Sequence, residues 1–247
     1  MKTNLFTTFL ALFFVVIYFS CGSPKKESNT DVENVNEEHG WTVLFKSAED
    51  TIHWKSYKTN EFPREGWIID NNELIILPGR KGGDLITKKE YTNFDLKLDF
   101  KYASHANSGV KYFVNKLKNT SNDRDELVGF EYQIIDDFHQ DEIPGFIDET
   151  GSTGAIYLLE TPNEEKQLNP AEEWNSLRIR VKDNNVIHWL NDKEIINVDI
   201  SSDEFINQIQ QTKFKNHEGY GKQSKGYILL QDHGDQAYFK NIMIKEL

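Results

Sequence analysis

Carboxylate, imidazole and ammonium groups stand in this chain along short apolar–polar alternations. These are the groups that move protons and stabilise developing negative charge. Near the C-terminus, Gly226-Tyr-Ile-Leu-Leu-Gln-Asp-His-Gly-Asp-Gln-Ala-Tyr-Phe-Lys-Asn-Ile-Met-Ile244 reads as two strands joined at His233-Gly234-Asp235. Period-two alternation sets Tyr227, Leu229, Gln231 and His233 on one face, and Ile228, Leu230 and Asp232 on the other. In Phe130-Glu-Tyr-Gln-Ile-Ile-Asp-Asp137 the same rule opposes Glu131, Gln133, Ile135 and Asp137 to Phe130, Tyr132 and Ile134. The first set is expected on the outer, concave face of a sheet whose other face is core. Lys111, between Val110 and Tyr112, belongs to the polar face of its strand with Gly109 and Phe113, and Asn107-Ser-Gly109 signals a turn before it.

Taken singly, each of these residues has an ordinary structural explanation. An Asp before a Gly turn accepts backbone N–H bonds, and a Glu, Gln or Lys on a strand commonly belongs to a solvated face. His188 alternates with Val186 and Leu190, the expected core-facing set, and so reads as a satisfied core or rim histidine. Trp189 could offer a flat face to a sugar ring, although a strand Trp is more often core. Asp136, Asp137, Asp141, Glu142, Asp148 and Glu149 could hold a hard cation through oxygen ligands, but their spacing matches no calcium loop, which favours a solvated acidic loop.

The elements that must position these groups are short strands. Trp41–Phe45 opens the series, and two apolar runs around Asp70-Asn71-Asn72 form a hairpin signal. Further strands are expected at 84–87, 94–102, 108–114, 130–136, 154–159, 174–181, 186–190 and 194–198, with a polar loop from Asn115 to Gly129. The strict alternation of Phe94-Asp-Leu-Lys-Leu-Asp-Phe-Lys-Tyr102 predicts one buried and one wet face. Only Ser201-Ser-Asp-Glu204, with capping-box spacing and Phe205, Ile206 and Ile209 at helical intervals, reads as a helix. Short strands at regular spacing with one short helix describe an all-β protein, an antiparallel β-sandwich or jelly roll. No internal repeat, dinucleotide-binding glycine pattern or clustered Cys/His metal motif is evident.

The chain of 247 residues suffices for one large all-β domain, expected at 41–247. Its formal net charge of -12 argues against binding nucleic acid or an anionic membrane surface through a basic patch, while a neutral ligand such as a sugar is compatible with it. Lys2, an apolar run to Phe19 and then Ser20-Cys21-Gly22-Ser23 read as a secretory signal over residues 1–20. Cys21 is the only cysteine, so it forms no internal disulfide, and it sits where a bacterial lipoprotein is cleaved and acylated. Residues 21–40, rich in Ser, Asn, Lys and Glu, form a flexible linker. The expected location is the cell envelope, on the periplasmic side or the cell surface, with membrane contact through the N-terminal lipid alone.

The motifs matter more as an ordered set. Gly83-Asp-Leu-Ile-Thr-Lys-Lys-Glu-Tyr-Thr-Asn-Phe-Asp-Leu, Asn107-Ser-Gly-Val-Lys-Tyr, Glu131-Tyr-Gln-Ile-Ile-Asp-Asp, Thr153-Gly-Ala-Ile-Tyr, Glu173-Trp-Asn, His188-Trp-Leu-Asn and Gly226-Tyr-Ile-Leu-Leu-Gln-Asp-His-Gly resemble the 3-keto-disaccharide hydrolase domain family, in order, from about Trp41 to Leu247. Asp192 departs from the Gly usual after His-Trp-Leu-Asn, a change in a turn. The resemblance implies a concanavalin A-like lectin/glucanase jelly roll acting on an oxidised, 3-keto sugar or glycoside. A ketone at C3 acidifies the C2 proton, so a base can remove it and the enolate can expel the oxygen at C1, after which water adds. That route needs a base, an enolate donor and an acid, not the two opposed carboxylates of an ordinary glycosidase. The resemblance implies His233 and Glu131 as acid–base groups and Lys111 as donor to the enolate. Gln133, Gln231 and Asn107 would position hydroxyls and Asp232 would orient His233 or a loop, with His188 and Tyr157 also at the substrate. A divalent cation on the enolate is a further option, and no cofactor is otherwise implied. The competing class is a non-catalytic carbohydrate-binding lipoprotein, since the same sandwich can hold sugars without cleaving them. An ordinary glucanase is disfavoured by the absence of Glu-x-Asp-x-x-Glu on one strand.

Overall fold

The computed structural model describes residues 40–79, 82–144, 146 and 148–247. The expected signal peptide (1–20), the acylation site Cys21 and the linker as far as residue 39 lie outside the described residues. Strands run β1 (Thr42–Phe45), β2 (Trp54–Ser56), β3 (Trp67–Asp70), β4 (Glu73–Ile76), β5 (Leu85–Tyr91), β6 (Phe94–Tyr102), β7 (Asn107–Asn119), β8 (Arg124–Ile135), β9 (Asn175–Lys182), β10 (Asn185–Leu190), β11 (Lys193–Asp199), β12 (Gly226–Leu230) and β13 (Ala237–Glu246), with one helix, α1 (Asp203–Gln211), before β12.

All strand pairs are antiparallel and form two sheets. The larger has the order β11-β10-β9-β6-β13-β4-β3, with β1 also on β13, and the smaller has the order β2-β5-β12-β7-β8. The alternation in β6 explains why the sheets stack. Phe94, Leu96, Leu98, Phe100 and Tyr102 are buried against Val110, Tyr112, Tyr132 and Ile134 of the smaller sheet in one core, while Lys97 and Lys101 stay on the wet face. Asp95, on that outer face, is buried only because Arg178 bonds it from β9, Nε to Oδ1 at 2.7 Å. The fold is an antiparallel jelly-roll β-sandwich, with one short α-helix among the described residues.

Three local expectations change. The polar stretch 115–129 is not a loop: β7 and β8 continue through it to a turn at 120–123. Its residues are polar because the arm is laced by surface ion pairs, Lys116–Asp125 at 2.9 Å and Lys118–Asp123 at 2.7 Å, instead of covering core. A bulge between Tyr112 and Asn115, with Phe113 at φ 52°, turns Phe113 into the core and off the polar face expected for it. The predicted strand 154–159 consists of turns with bridges only at Ile156, because Gly154 and Leu158 take positive φ. Thr153 Oγ1 holds this loop to β8, donating to Ile135 O and accepting from Ile135 N. The helix begins one residue later than expected, with Ser202 Oγ accepting from Phe205 N, and Ile206 faces solvent while Phe205 and Ile209 are buried.

Candidate active site

The site is built on the outer face of the smaller sheet, where β12, β7 and β8 lie side by side. On β7 and β8, Val110, Tyr112, Tyr132 and Ile134 turn into the core, so Lys111, Glu131 and Gln133 turn outward. Lys111 stands directly opposite Glu131 in the register, Nζ 3.4 Å from Oε2, and both side chains are largely shielded. Gln231 extends the row, its N–H bonded to Gly109 O just past the end of β12, and His233 follows two residues on. These residues, with Asn107 and Tyr157, line one cleft of about 360 Å³, at the small end of the range for small-molecule sites.

Gly109 is a floor residue of this cleft. It lies within β7, inside the expected strand 108–114, and a Cβ there would stand 2.5 Å from Glu131 Oε1. Only glycine lets the carboxylate lie flat across the strand. Gln133 and Gln231 each carry a buried Oε1 with no hydrogen-bond partner among the described residues. A buried acceptor without a donor is costly, and beside a cleft a ligand hydroxyl is the natural partner. Burial pushes the Tyr157 phenol above its ordinary pKa, and the charge of Glu131 adds to the effect, so Tyr157 is a neutral donor.

The far wall holds residues that sequence patterning did not single out. Lys213 and Phe214 come from the short 3-10 turn Lys213–Asn216 after α1, held by Thr212 Oγ1 accepting from Phe214 N. The Lys213 ammonium lies 4.9 Å from the Tyr157 ring centroid and 5.6 Å from that of Phe214. Burial lowers its pKa and the charge of Lys111 adds to this, against the pull of Glu131 and Glu126. Glu126 and His217 also line the cleft, Nε2 to Oε2 at 2.9 Å. Hydrogen bonds from Asn122, then His217 and Asn119, hold the Glu126 carboxyl down at about 2. Nothing local marks Lys213 or His217 in the sequence; tertiary packing brings the 3-10 turn over the sheet.

Two expected substrate contacts are corrected. His188 is wholly buried between the sheets, Nδ1 2.9 Å from Gly154 O and Nε2 3.1 Å from Tyr112 Oη, and it has no access to the cleft. The carbonyl can only accept, so Nδ1 carries the proton and Tyr112 donates to Nε2. Its alternation with Val186 and Leu190 already pointed inward. Asp232 does not line the cleft: its Oδ2 accepts from Gly83 N at 2.9 Å and its Oδ1 from Gly234 N at 3.1 Å, which matches the loop-orienting role expected of it and not a substrate contact. It fixes the crossing from the smaller sheet to the larger that carries His233. The acidic loop is also mainly structural at its start. Asp136 is buried and accepts from His105 N and Phe138 N, and Asp137 pairs with Lys166 at 2.6 Å. Among the described residues, metal-ligating side chains gather outside the cleft, at His105, Asp136 and His139.

Comparison with known proteins bears on the family and the fold. A 3-keto-disaccharide hydrolase of Bacteroides thetaiotaomicron is 29% identical over 220 residues, spanning 78% of this chain and 74% of the relative. A crystal structure of a candidate glycosyl hydrolase from Parabacteroides distasonis is 30% identical, with a TM-score of 0.71 over 84% of this chain and 94% of that one. A second from the same organism is 27% identical, with a TM-score of 0.60 over 84% and 99%. The model of the 3-keto-alpha-glucoside-1,2-lyase-like domain matches residues 40–245, and the chain belongs to that family.

Proposed function

We propose that the protein cleaves the glycosidic bond of 3-keto-glycosides, including 3-keto-disaccharides, in the cleft on the smaller sheet. The observation that most supports this reading is the Lys111–Glu131 pair, 3.4 Å apart on a cleft floor shared with His233 and two glutamines whose buried oxygens lack partners. Glu131 takes the proton from C2. The electron pair left behind forms the C2–C3 enolate, whose oxygen meets the Lys111 ammonium, with Lys213 a second cation across the cleft. The enolate re-forms the ketone by expelling the oxygen at C1, and His233 gives that oxygen its proton. The product is a 1,2-unsaturated 3-ketone. Water then adds its oxygen to C1 and a proton returns to C2, so the sum is hydrolysis. Gln133, Gln231, Asn107 and Tyr157 hold the sugar hydroxyls. Acylation of Cys21 would tether the domain in the cell envelope, where substrate arrives from outside the cytoplasm.

Incubating the purified protein with a 3-keto-glucoside and with its unoxidised parent, each with and without chelator, tests the proposal. Cleavage of the keto sugar alone, with exchange of the C2 proton for solvent deuterium, is the expected result. Cleavage of neither would sink the enzymatic reading, and cleavage of the parent alone would sink the keto-dependent route.

A further inference from the structure

Outside the cleft, the chain brings two imidazoles and two carboxylates together where β7 begins and β8 ends. One donor atom each of His105, Asp136 and His139 lies within 4.8 Å of the others. His139 Nδ1 is 2.8 Å from Asp136 Oδ2, and His105 Nε2 is 3.1 Å from Glu142 Oε2. The two rings stack, centroids 4.5 Å apart and planes 24° from parallel. Asp136 is wholly buried and is aimed by N–H bonds from His105 and Phe138, which fixes its carboxylate before any ion arrives. Ligands about 2.0–2.1 Å from a tetrahedral zinc stand roughly 3.3–3.4 Å from one another, so His139 Nδ1 and Asp136 Oδ2, now hydrogen-bonded at 2.8 Å, need only part slightly to take an ion between them. Imidazole with carboxylate suits a borderline transition ion better than calcium, which takes oxygen alone. His105 and Glu142 are exposed, leaving a path from solvent.

We propose that His105, Asp136 and His139 bind a divalent transition ion of the zinc class. The ion would clip the 136–142 loop to the segment leading into β7, at His105, two residues before the cleft residue Asn107. The inference is independent of the proposed reaction. It is tested on the full chain, stripped with chelator and titrated with Co²⁺, then with Zn²⁺. Saturable binding of one Co²⁺ with visible d–d bands, displaced by Zn²⁺, and a rise of several degrees in the unfolding midpoint with Zn²⁺ are expected. The double variant His105→Ala/His139→Ala, at partly exposed positions and checked for native circular dichroism, should lose the bands and bind at least tenfold more weakly. It retains Cys21 and every other histidine, so unchanged affinity in the variant would mark the binding as adventitious and overturn the proposal. Absence of saturable binding into the millimolar range would overturn it as well.

Discussion

The two sheets treat polar groups on their outer faces in opposite ways. On the larger sheet, cations are matched within the face itself: Lys97 lies over Trp41 (4.5 Å), Arg178 over Trp189 (4.7 Å), Lys101 over Tyr238 (4.2 Å) and Lys240 over Trp174 (3.7 Å). On the smaller sheet, a shielded ion pair stands beside two glutamine oxygens without partners and a glycine that leaves room for a carboxylate. A face that only has to exist in water closes its own bonds, and a face that receives a ligand leaves some open. Trp189, a candidate sugar platform by its type, is capped by Arg178 and belongs to the closed kind.

The sharpest way to break this comparison is Glu131→Gln, which keeps shape and removes the base. We expect kcat/KM on a 3-keto-glucoside to fall by about 10²–10⁴-fold, the usual span for a general base, with the unfolding midpoint little changed. Turnover near that of the wild type would move the chemistry off this pair.

His188 gives the contrasting effect, on stability. Burial lowers its pKa from 6.5 to about 4, outweighing the bond to Gly154 O. The folded state therefore resists a proton that the unfolded chain accepts. Stability from this group is complete above pH 6.5, declines as pH falls toward 4 and is lost below, for a total of roughly 3 kcal/mol. Urea unfolding at pH 7 and pH 4.5 should show His188→Gln losing less stability on acidification than the wild type, by most of that amount. Equal losses would mean that His188 is not the buried neutral group described.

What was legible in the sequence divides along the same line. The larger sheet could be read almost strand by strand, because β6 and β9 obey period two and the β3–β4 and β10–β11 turns carry Asn and Asp at positive φ. The smaller sheet departs from local rules at the bulge at Phe113 and along the polar arm of β7 and β8. Alternation puts Glu131, Gln133, Lys111, Gln231 and His233 on polar strand faces, but only the resemblance of the ordered motifs gathers them into one site. Lys213 and His217 are not marked in the sequence, since their place over the sheet depends on packing of the 3-10 turn after α1, which no spacing encodes, and Glu126 lies on the part of β8 expected to be a polar loop.

Gly109→Ala probes the open face more gently. The added methyl would stand 2.5 Å from Glu131 Oε1, so the carboxylate must swing away. A displacement near 1 Å can cost up to about 10²-fold in rate, so a tenfold to hundredfold loss of kcat is expected. The midpoint should hold or rise, because alanine is otherwise better than glycine in a strand by about 0.5–1 kcal/mol. Loss of stability together with activity would make Gly109 a folding residue and weaken the case for a reserved site.

The smallest effect is expected on the closed face, and it is the control that gives the others meaning. Lys240→Ala removes an ammonium 3.7 Å from the Trp174 ring centroid, a contact worth about 0.5–1 kcal/mol where water still reaches it. Denaturant unfolding should show a loss of that order, and kcat/KM should be unchanged, because the residue lies on the opposite sheet from Glu131. If activity fell while stability held, the outer face of the larger sheet would also be handling substrate. The matched cation–aromatic pairs would then be a second binding surface, and the division between a closed and an open face would fail.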